Sequence, residues 1–308
     1  MKQAVVIGNC QVKSLAQTLN FFSEDVEFQH FQIHSLPPGK AQSHIETRTE
    51  RFVAEADLVL TFNLSDKYFG LAKDRVRETF AGKPVFSISN LYFGGYHPDI
   101  IVLGDIGQRM DGVLDQYHSR LALWGFMNSL SIEDTAALFC DETFRKVNYY
   151  SEWDASLKRF VQSERDVDLP FTQPYVNLLR QRVGMYVVNH PAPVVFLEWA
   201  TALIGALASK GLVRPRGWTP DECALPHHFS DTAIFPVYPE VAAHHNLPFD
   251  GSYIFKSKGF DGSSFLSLRQ FIQSEFDVFE RSGRDAILNS RQWISSAKRF
   301  EALDPVLG

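Results

Sequence analysis

A cysteine follows the first apolar run of the chain, where a catalytic or binding group would be well placed. Residues 4–7 are apolar, Gly8-Asn9-Cys10-Gln11 comes next, and residues 12–22 then carry apolar side chains at helical spacing. Parallel sheets bind ligands where a strand ends and a helix begins, and N–H groups there favour an anion or oxyanion. Because the same dipole lowers a thiol pKa, Cys10 is a candidate nucleophile, or a thiol that contacts an acyl carbonyl. The alternative is a small buried residue in a tight turn.

A histidine and an aspartate form the second candidate group, in the segment that leaves the fourth predicted strand. Gly94-Gly95 permits a turn close to a ligand, and Asp99 is near enough in sequence to orient His97 as a general base. Such a base would serve a nucleophile or an acceptor hydroxyl. The alternative is a His-Pro turn in which Asp99 is a helix N-cap. Asn63, after the third strand, is a weaker candidate for the same cleft.

Further histidine and basic residues can assist catalysis or hold phosphates. His118 and Arg120 open the helical half of the chain, and a guanidinium fork suits phosphate or carboxylate. Lys256 and Lys258 lie among aromatic residues, a composition that can hold phosphates beside a stacked base. A basic and aromatic group at residues 214–218 has the same character. A solvated surface is the alternative for each group, and His118 can equally be a satisfied interdomain residue.

Metal and dinucleotide chemistry have weaker support. The sequence has no Walker motif and no Gly-x-Gly-x-x-Gly after the first strand. His30 and His34 are four residues apart, but they lie in a strand-like alternation that spoils the helical ligand geometry. Zinc could be collected by Cys223 with His227 and His228, and then His244 and His245, but no Cys-x-x-Cys pair accompanies them. We therefore expect no metal.

Composition limits the classes of partner. The 308 residues carry 30 Lys and Arg against 36 Asp and Glu, a formal net charge of -6, so the overall field recruits neither nucleic acid nor an anionic membrane. Three widely spaced cysteines favour free thiols in a reducing cytoplasm. The longest apolar stretch, residues 193–208, contains Glu198 and is shorter than the roughly 20 apolar residues that span a bilayer.

The pattern of elements predicts an α/β fold. Apolar strands alternate with helices over the first hundred residues, which favours a doubly wound, mostly parallel sheet followed by a largely helical half. The predicted strands are residues 4–7, 28–33, 57–62 and 84–88, and the predicted helices between them are 12–22, 44–54 and 67–80. Later helices are predicted at 112–127, 132–140, 151–163, 174–186, 196–209, 264–279 and 285–298. We expect a sheet domain at 1–104 and a mainly helical part at 105–308 that completes the site.

Four short motifs, in this order along the chain, resemble capsular polysaccharide biosynthesis enzymes of the WcbI type. They are residues 5–11, residues 95–99, Tyr117-His118-Ser119 and Asn189-His190-Pro191. The resemblance covers most of the chain. It implies binding of coenzyme A and transfer of an acetyl group from acetyl-CoA to a hydroxyl of a capsule sugar precursor. Other capsule biosynthesis enzymes are then candidate partners, whereas a cytoplasmic enzyme with no nucleic acid partner and no membrane span is the expectation from composition.

The physical interpretation above supplies the roles that this activity needs. The expected catalytic residues are Cys10, His97, Asp99 and His118. The expected contacts to coenzyme A are Gly8, Asn9, Gln11, Arg120, Lys256 and Lys258. Cys10 would either carry the acyl group transiently or help to polarise the thioester carbonyl.

Two other functions stay open. The first turn also resembles the nucleophile position of SGNH-type esterases, with a sheet of SGNH or flavodoxin type. However, Cys10 replaces their serine, and the pair His97 and Asp99 follows the fourth strand instead of lying near the C-terminus. The alternatives are therefore an SGNH-like carbohydrate esterase and a non-catalytic module that binds coenzyme A or a sugar nucleotide.

Overall fold

The computed structural model describes residues 1–33, 54–63, 73–104, 109–221, 224–225, 229, 232–257 and 265–303. The chain divides into two compact units that alternate along the sequence. The sheet unit comprises Met1–Leu91, Arg159–Leu179 and Pro191–His228, and the helical unit comprises Tyr92–Lys158, Arg180–His190 and Phe229–Gly308. The expected division put a single boundary at residue 104. That division, a sheet domain at 1–104 and a mainly helical part at 105–308, stays a prediction.

Strands and helices follow one another in a mixed order. The strands are β1 (Lys2–Gly8), β2 (Val26–Gln32), β3 (Leu58–Phe62), β4 (Val85–Ile88), β5 (Ile100–Ile101), β6 (His118–Ser119), β7 (Met185–Val187), β8 (His190–Pro191), β9 (Phe255–Lys256) and β10 (Phe265–Leu266). The helices are α1 (Gln11–Phe22), α2 (Lys73–Thr79), α3 (Arg120–Met127), α4 (Ile132–Ala137), α5 (Asp141–Lys146), α6 (Ser151–Ser163), α7 (Thr172–Gln181), α8 (Pro193–Ser209), α9 (Pro239–His244), α10 (Leu268–Ser282), α11 (Arg284–Leu288) and α12 (Arg291–Phe300).

The sheet unit is built on a four-stranded parallel sheet in the order β2-β1-β3-β4. The apolar residues of β1, at positions 4–7, are at most 1% exposed, as expected for a central strand covered on both faces. Helix α1 packs against α8, whose residues Trp199 and Leu203 are buried. The predicted parallel α/β class is confirmed. The predicted helix at 44–54 lies largely outside the described residues.

The helical unit begins differently from the prediction. Residues 112–119 were expected to open a helix, but Gly112 and Asp115 form a β-bridge, and β6 follows. Asp115 has φ 62, a left-handed conformation that a helix cannot accommodate. Helix α3 therefore starts only at Arg120, where the Ser119 hydroxyl accepts a hydrogen bond from Ala122 N at 3.0 Å.

Two other helix boundaries also differ from the prediction. The predicted helix at 285–298 is two helices, because Ser290 accepts from Trp293 N at 3.1 Å and begins α12 anew. The predicted helix at 174–186 ends at Gln181, and the strand β7 takes up its last residues. Helix α6 has the predicted bounds.

A substitution at Gly8 can test how closely the first turn is packed. A Cβ at this position would lie 2.7 Å from the Phe62 ring and 2.8 Å from Val12 Cγ1. We expect Gly8→Ala to lower the free energy of unfolding by about 1–3 kcal/mol, the usual cost of overpacking a core. Urea unfolding measures the change. As a control, Gly205→Ala in α8 meets no atom within 4 Å and should be neutral or stabilising by up to about 1 kcal/mol. Equal stability of Gly8→Ala and wild type would contradict the packing.

Candidate functional site

The first turn is held at the carboxyl edge of the parallel sheet by two amide side chains. Gln11 is fully buried, and its Nε2 donates to Leu91 O at 2.6 Å while its Oε1 accepts from Leu91 N at 3.2 Å. Asn9 Nδ2 donates to Asn90 Oδ1 at 2.9 Å. The end of β1 is thereby tied to the chain that leaves β4. This contact reaches Asn90 and Leu91, and the expected convergence of the first turn with His97 and Asp99 in one cleft stays a prediction.

Asn9 also accepts hydrogen bonds from the first residues of helix α1. Its Oδ1 accepts from Gln11 N at 2.9 Å, and its backbone oxygen accepts from Val12 N at 3.3 Å. These two N–H groups are therefore already satisfied and are not aimed at a ligand. Gln11 was expected to contact a cofactor, but its amide is used by the backbone of Leu91. Its observed role is to anchor the turn.

Cys10 lies at the N-cap position of α1 as a half-buried free thiol. Burial raises its pKa to about 11, and a hydrogen bond involving its own backbone lowers the pKa by a smaller amount. The expectation of a thiol pKa lowered by the helix terminus is wrong, because loss of solvation outweighs the hydrogen bond. Cys10 is therefore a neutral thiol at pH 7.

A carboxyl group that sequence analysis did not single out lies in the same unit. Glu164 Oε2 accepts from Ser89 Oγ at 2.6 Å and from Phe171 N at 2.8 Å, whereas Oε1 is buried and has no hydrogen-bond partner among the described residues. Burial raises the pKa of Glu164 in spite of these hydrogen bonds. The sequence gives no signal for this group, because Glu164 is 75 positions away from Ser89.

His97 is buried in the helical unit. Its ring is 2% exposed, meets Tyr96 and Phe235 edge-on, and has no side-chain hydrogen-bond partner for Nδ1 or Nε2 among the described residues. Burial lowers its pKa to about 3, so the imidazole is neutral at pH 7. A base with so low a pKa accepts protons poorly at neutral pH.

Asp99 does not orient His97, which corrects the expected pair. Its Oδ1 accepts from Leu121 N at 2.9 Å and from Tyr149 Oη at 2.7 Å, and its Oδ2 accepts from Tyr238 Oη at 2.8 Å. The carboxylate is 0% exposed. Asp99 therefore accepts a hydrogen bond from the first turn of α3 and links that turn to two buried tyrosines. This role is close to the alternative in which Asp99 is a helix N-cap.

His118 also has a structural environment. Its Nδ1 lies 3.1 Å from Glu275 Oε2, and its Nε2 lies 2.9 Å from Met110 O. Burial alone lowers the His118 pKa, but Glu275 and the Met110 carbonyl outweigh this and raise the pKa above its usual value. Both ring nitrogens face acceptors, so the protonated form fits and neither nitrogen is placed to receive a proton.

Arg120 and Lys256, which were expected to bind phosphates, do not share one environment. Arg120 Nη1 donates to Ser296 Oγ at 3.0 Å, and its Nε is buried without a hydrogen-bond partner among the described residues. Lys256 Nζ donates to Thr232 O at 3.2 Å. Lys258 lies outside the described residues. The structure thus gives Arg120 a partner within its own unit and places Lys256 next to a different candidate group.

That group centres on His190, whose ring is half-buried. Phe229 stacks on the imidazole at 4.4 Å between centroids, and Tyr117 meets it edge-on at 5.9 Å. Tyr117 Oη donates to Asn189 Oδ1 at 2.7 Å. Two motifs that the sequence analysis quoted separately are therefore in contact. Their joint position could not be inferred from the sequence, because 72 residues separate Tyr117 and Asn189.

The described residues contain neither a cluster of metal-binding side chains nor a helix that could span a membrane. No group of three or more His, Cys, Asp or Glu side chains in the described residues is placed to hold a metal ion. His34, Cys223, His227 and His228 lie outside the part of the chain that the structure describes. Within that part, no helix is both long enough and apolar enough to cross a bilayer.

Comparison with known proteins gives the family. A family model described as polysaccharide biosynthesis enzyme WcbI matches residues 3–212, about two thirds of the chain. This chain belongs to the WcbI family. The match includes the first turn, the loop with His97 and the motif at His190, and it confirms the resemblance seen in the sequence. A comparison with curated proteins gave no significant match.

A solved structure shares the fold. It is described as native WcbI, a novel polysaccharide biosynthesis enzyme, without a disulfide bond between coenzyme A and one of its cysteines. Its sequence is 17% identical, the TM-score is 0.70, and the alignment covers 98% of this chain and 99% of that chain. At this identity the likeness concerns the fold.

Removing the charge of Asp99 should loosen the helical unit. We expect Asp99→Asn to lower the free energy of unfolding by about 3 kcal/mol, because a buried carboxylate loses charge-assisted hydrogen bonds from Tyr149 and Tyr238. Asp277→Asn on the exposed face of α10 is the control and should change stability by less than about 0.5 kcal/mol. Equal unfolding midpoints in urea for the two variants would contradict the role assigned to Asp99.

The lowered pKa of His97 predicts that the free energy of unfolding decreases as the pH falls. Its folded pKa of about 3 is below the ordinary value of 6.5, so its contribution is present above pH 6.5 and is lost as the pH falls towards 3. Between these limits the unfolding free energy of wild type should fall more steeply than that of His97→Gln, by about 1.4 kcal/mol per pH unit. Urea unfolding at several pH values measures both slopes. Parallel slopes would show that His97 is solvated.

Proposed function

We propose that this chain transfers an acetyl group from acetyl-CoA to a hydroxyl of a polysaccharide precursor. The observation that carries the proposal is the half-buried thiol of Cys10 at the carboxyl edge of the parallel sheet, in a chain of the WcbI family. The fold neighbour is described as the native protein without a disulfide bond between coenzyme A and one of its cysteines, and this mention of a cysteine beside coenzyme A supports placing the cofactor thiol beside Cys10.

The state of Cys10 favours direct transfer over a covalent acyl-enzyme. Since its pKa is about 11, the thiolate needed to attack a thioester is scarce at pH 7. In the direct route, the acceptor oxygen bonds to the acetyl carbonyl carbon, the carbon–sulfur bond breaks, and coenzyme A leaves as a thiol after gaining a proton. The hydroxyl proton goes to a general base.

Among the histidines of the helical unit, we propose His190 in place of His97 as the candidate general base. The Thr232 hydroxyl donates its hydrogen to Phe229 O at 2.7 Å. The same Thr232 oxygen lies 3.5 Å from His190 Nδ1 and can therefore act only as an acceptor there. This long contact favours a proton on Nδ1 and the lone pair on Nε2, the form in which a neutral imidazole accepts a proton. Unlike His97 and His118, which are fully buried, His190 is only half-buried, and the flanking rings of Phe229 and Tyr117 fix its plane.

Cys10 should capture coenzyme A by thiol–disulfide exchange. When the disulfide dimer of coenzyme A is added, one sulfur should bond to Cys10 Sγ and the other should leave as coenzyme A thiol. The rate should rise as the pH approaches the Cys10 pKa of about 11, because the thiolate is the attacking form. Intact mass and peptide mapping locate the adduct, and Cys10→Ser is the control. An adduct on Cys140 alone would contradict the placement.

Acetyl transfer itself is tested with acetyl-CoA and a panel of nucleotide-linked sugars, by thiol release and by the mass of the sugar. The account predicts an acetylated sugar and no acetyl group retained on Cys10. Release of acetate to water without any sugar would indicate the esterase instead. Binding of coenzyme A with neither product would indicate a non-catalytic module.

In the same assay, His190→Gln should lower the rate of acetyl transfer by about 100-fold or more, the usual contribution of a general base. Coenzyme A affinity should change little, since the variant keeps the surrounding rings. The pH profile supplies the decisive readout: the acidic limb seen with wild type should disappear. A variant that keeps both the rate and the acidic limb would exclude His190 as the base.

A further inference from the structure

A cavity of about 640 Å³ in the helical unit is lined by none of the residues assigned above to acyl transfer. Its volume is in the range of pockets that hold drug-sized ligands or cofactors. The residues that define this arginine cavity are Leu103, Arg109, Met110, Ile287, Arg291 and Gln292.

The charge of the arginine cavity is unusual for this acidic protein. Two guanidinium groups line it, and none of the described lining residues is Asp or Glu. Arg109 donates to the neutral side chain of Gln116 and so keeps its net charge. Arg291 makes no hydrogen bond or ion pair with a side chain in the described residues. Two uncompensated guanidinium groups beside one cavity favour a ligand with at least two negative charges.

The N-terminus of α12 adds donors at the same place. Ser290 already accepts from Trp293 N at 3.1 Å through its hydroxyl and from Ile294 N at 3.1 Å through its carbonyl. The N–H groups of Arg291 and Gln292 precede these and have no acceptor within the helix. Together with the two arginine side chains they can surround a phosphate.

The other wall of the arginine cavity is apolar. Half-buried Met110 and exposed Ala286 supply its apolar surface, whereas Leu103 and Ile287 behind them are each only 1% exposed. A ligand that fits both walls has a charged end and a flat or apolar end. Inorganic anions alone leave the apolar wall unused, whereas a nucleotide contacts both walls.

We propose that the arginine cavity binds the phosphates of a nucleotide between Arg109 and Arg291, with the nucleoside against Met110 and Ala286. Two sources share this chemistry: the phosphorylated adenosine end of coenzyme A and the nucleoside diphosphate of a nucleotide-linked sugar. The choice between these sources rests on the proposed function, but the binding site itself does not.

Calorimetric titration of the full chain tests the site with three probes: coenzyme A, adenosine 3′,5′-bisphosphate and UDP. Arg291→Gln should weaken the Kd of the bound nucleotide about tenfold or more, and Arg109→Gln with Arg291→Gln should weaken it further. Lys298→Gln is the matched control, because it removes the same charge from an exposed position of the same helix outside the cavity; its Kd should stay within about twofold of wild type. Thermal melts establish that the variants are folded.

The pattern across probes identifies the source and separates this inference from the proposed function. Arginine-dependent binding of the bisphosphate and coenzyme A assigns the site to the cofactor, and arginine-dependent binding of UDP assigns it to the nucleotide-linked sugar. If wild type binds UDP in this way but does not bind coenzyme A, the cavity inference stands and the proposed function fails. If coenzyme A binds wild type and the double variant equally and UDP does not bind, or if wild type binds no probe, the inference is overturned.

Discussion

The candidate site depends on the buried side chain of Gln11, which hydrogen-bonds to both polar groups of the Leu91 backbone. A buried amide left without these partners would cost more than the hydrogen bonds contribute when made. The turn between β1 and α1 is therefore fixed to the segment after β4, and Gly8 permits this only because it has no side chain to meet Phe62. The position of the Cys10 thiol is a consequence of this anchoring.

Burial determines which ionisable groups are available for chemistry. In the helical unit, Asp99 and the pair of His118 and Glu275 are fully buried and bonded, so their charges support the fold. The pKa values of the two buried histidines shift in opposite directions, since burial lowers that of His97 and the contact with Glu275 raises that of His118. Only a histidine that combines partial exposure with ring contacts, such as His190, has the position expected of an exchanging base.

The sequence predicted the parts of the molecule that depend on local pattern. The four parallel strands and helix α6 follow from apolar periodicity, and the location of Cys10 follows from the order of strand, turn and helix. The start of α3 was wrong because the left-handed Asp115 and the cap at Ser119 override periodicity. The partners of Asp99, Tyr149 and Tyr238, are 50 and 139 positions away, and single-sequence patterns carry no information at that range. The raised Cys10 pKa likewise depends on burial by distant residues.

A crystal structure of this protein with coenzyme A tests the central claim most directly. The account predicts that the cofactor sulfur lies within about 4 Å of Cys10 Sγ, in van der Waals contact or bonded to it, at the carboxyl edge of the parallel sheet. A cofactor bound with its sulfur far from Cys10, while the turn keeps its anchoring to Leu91, would contradict the account.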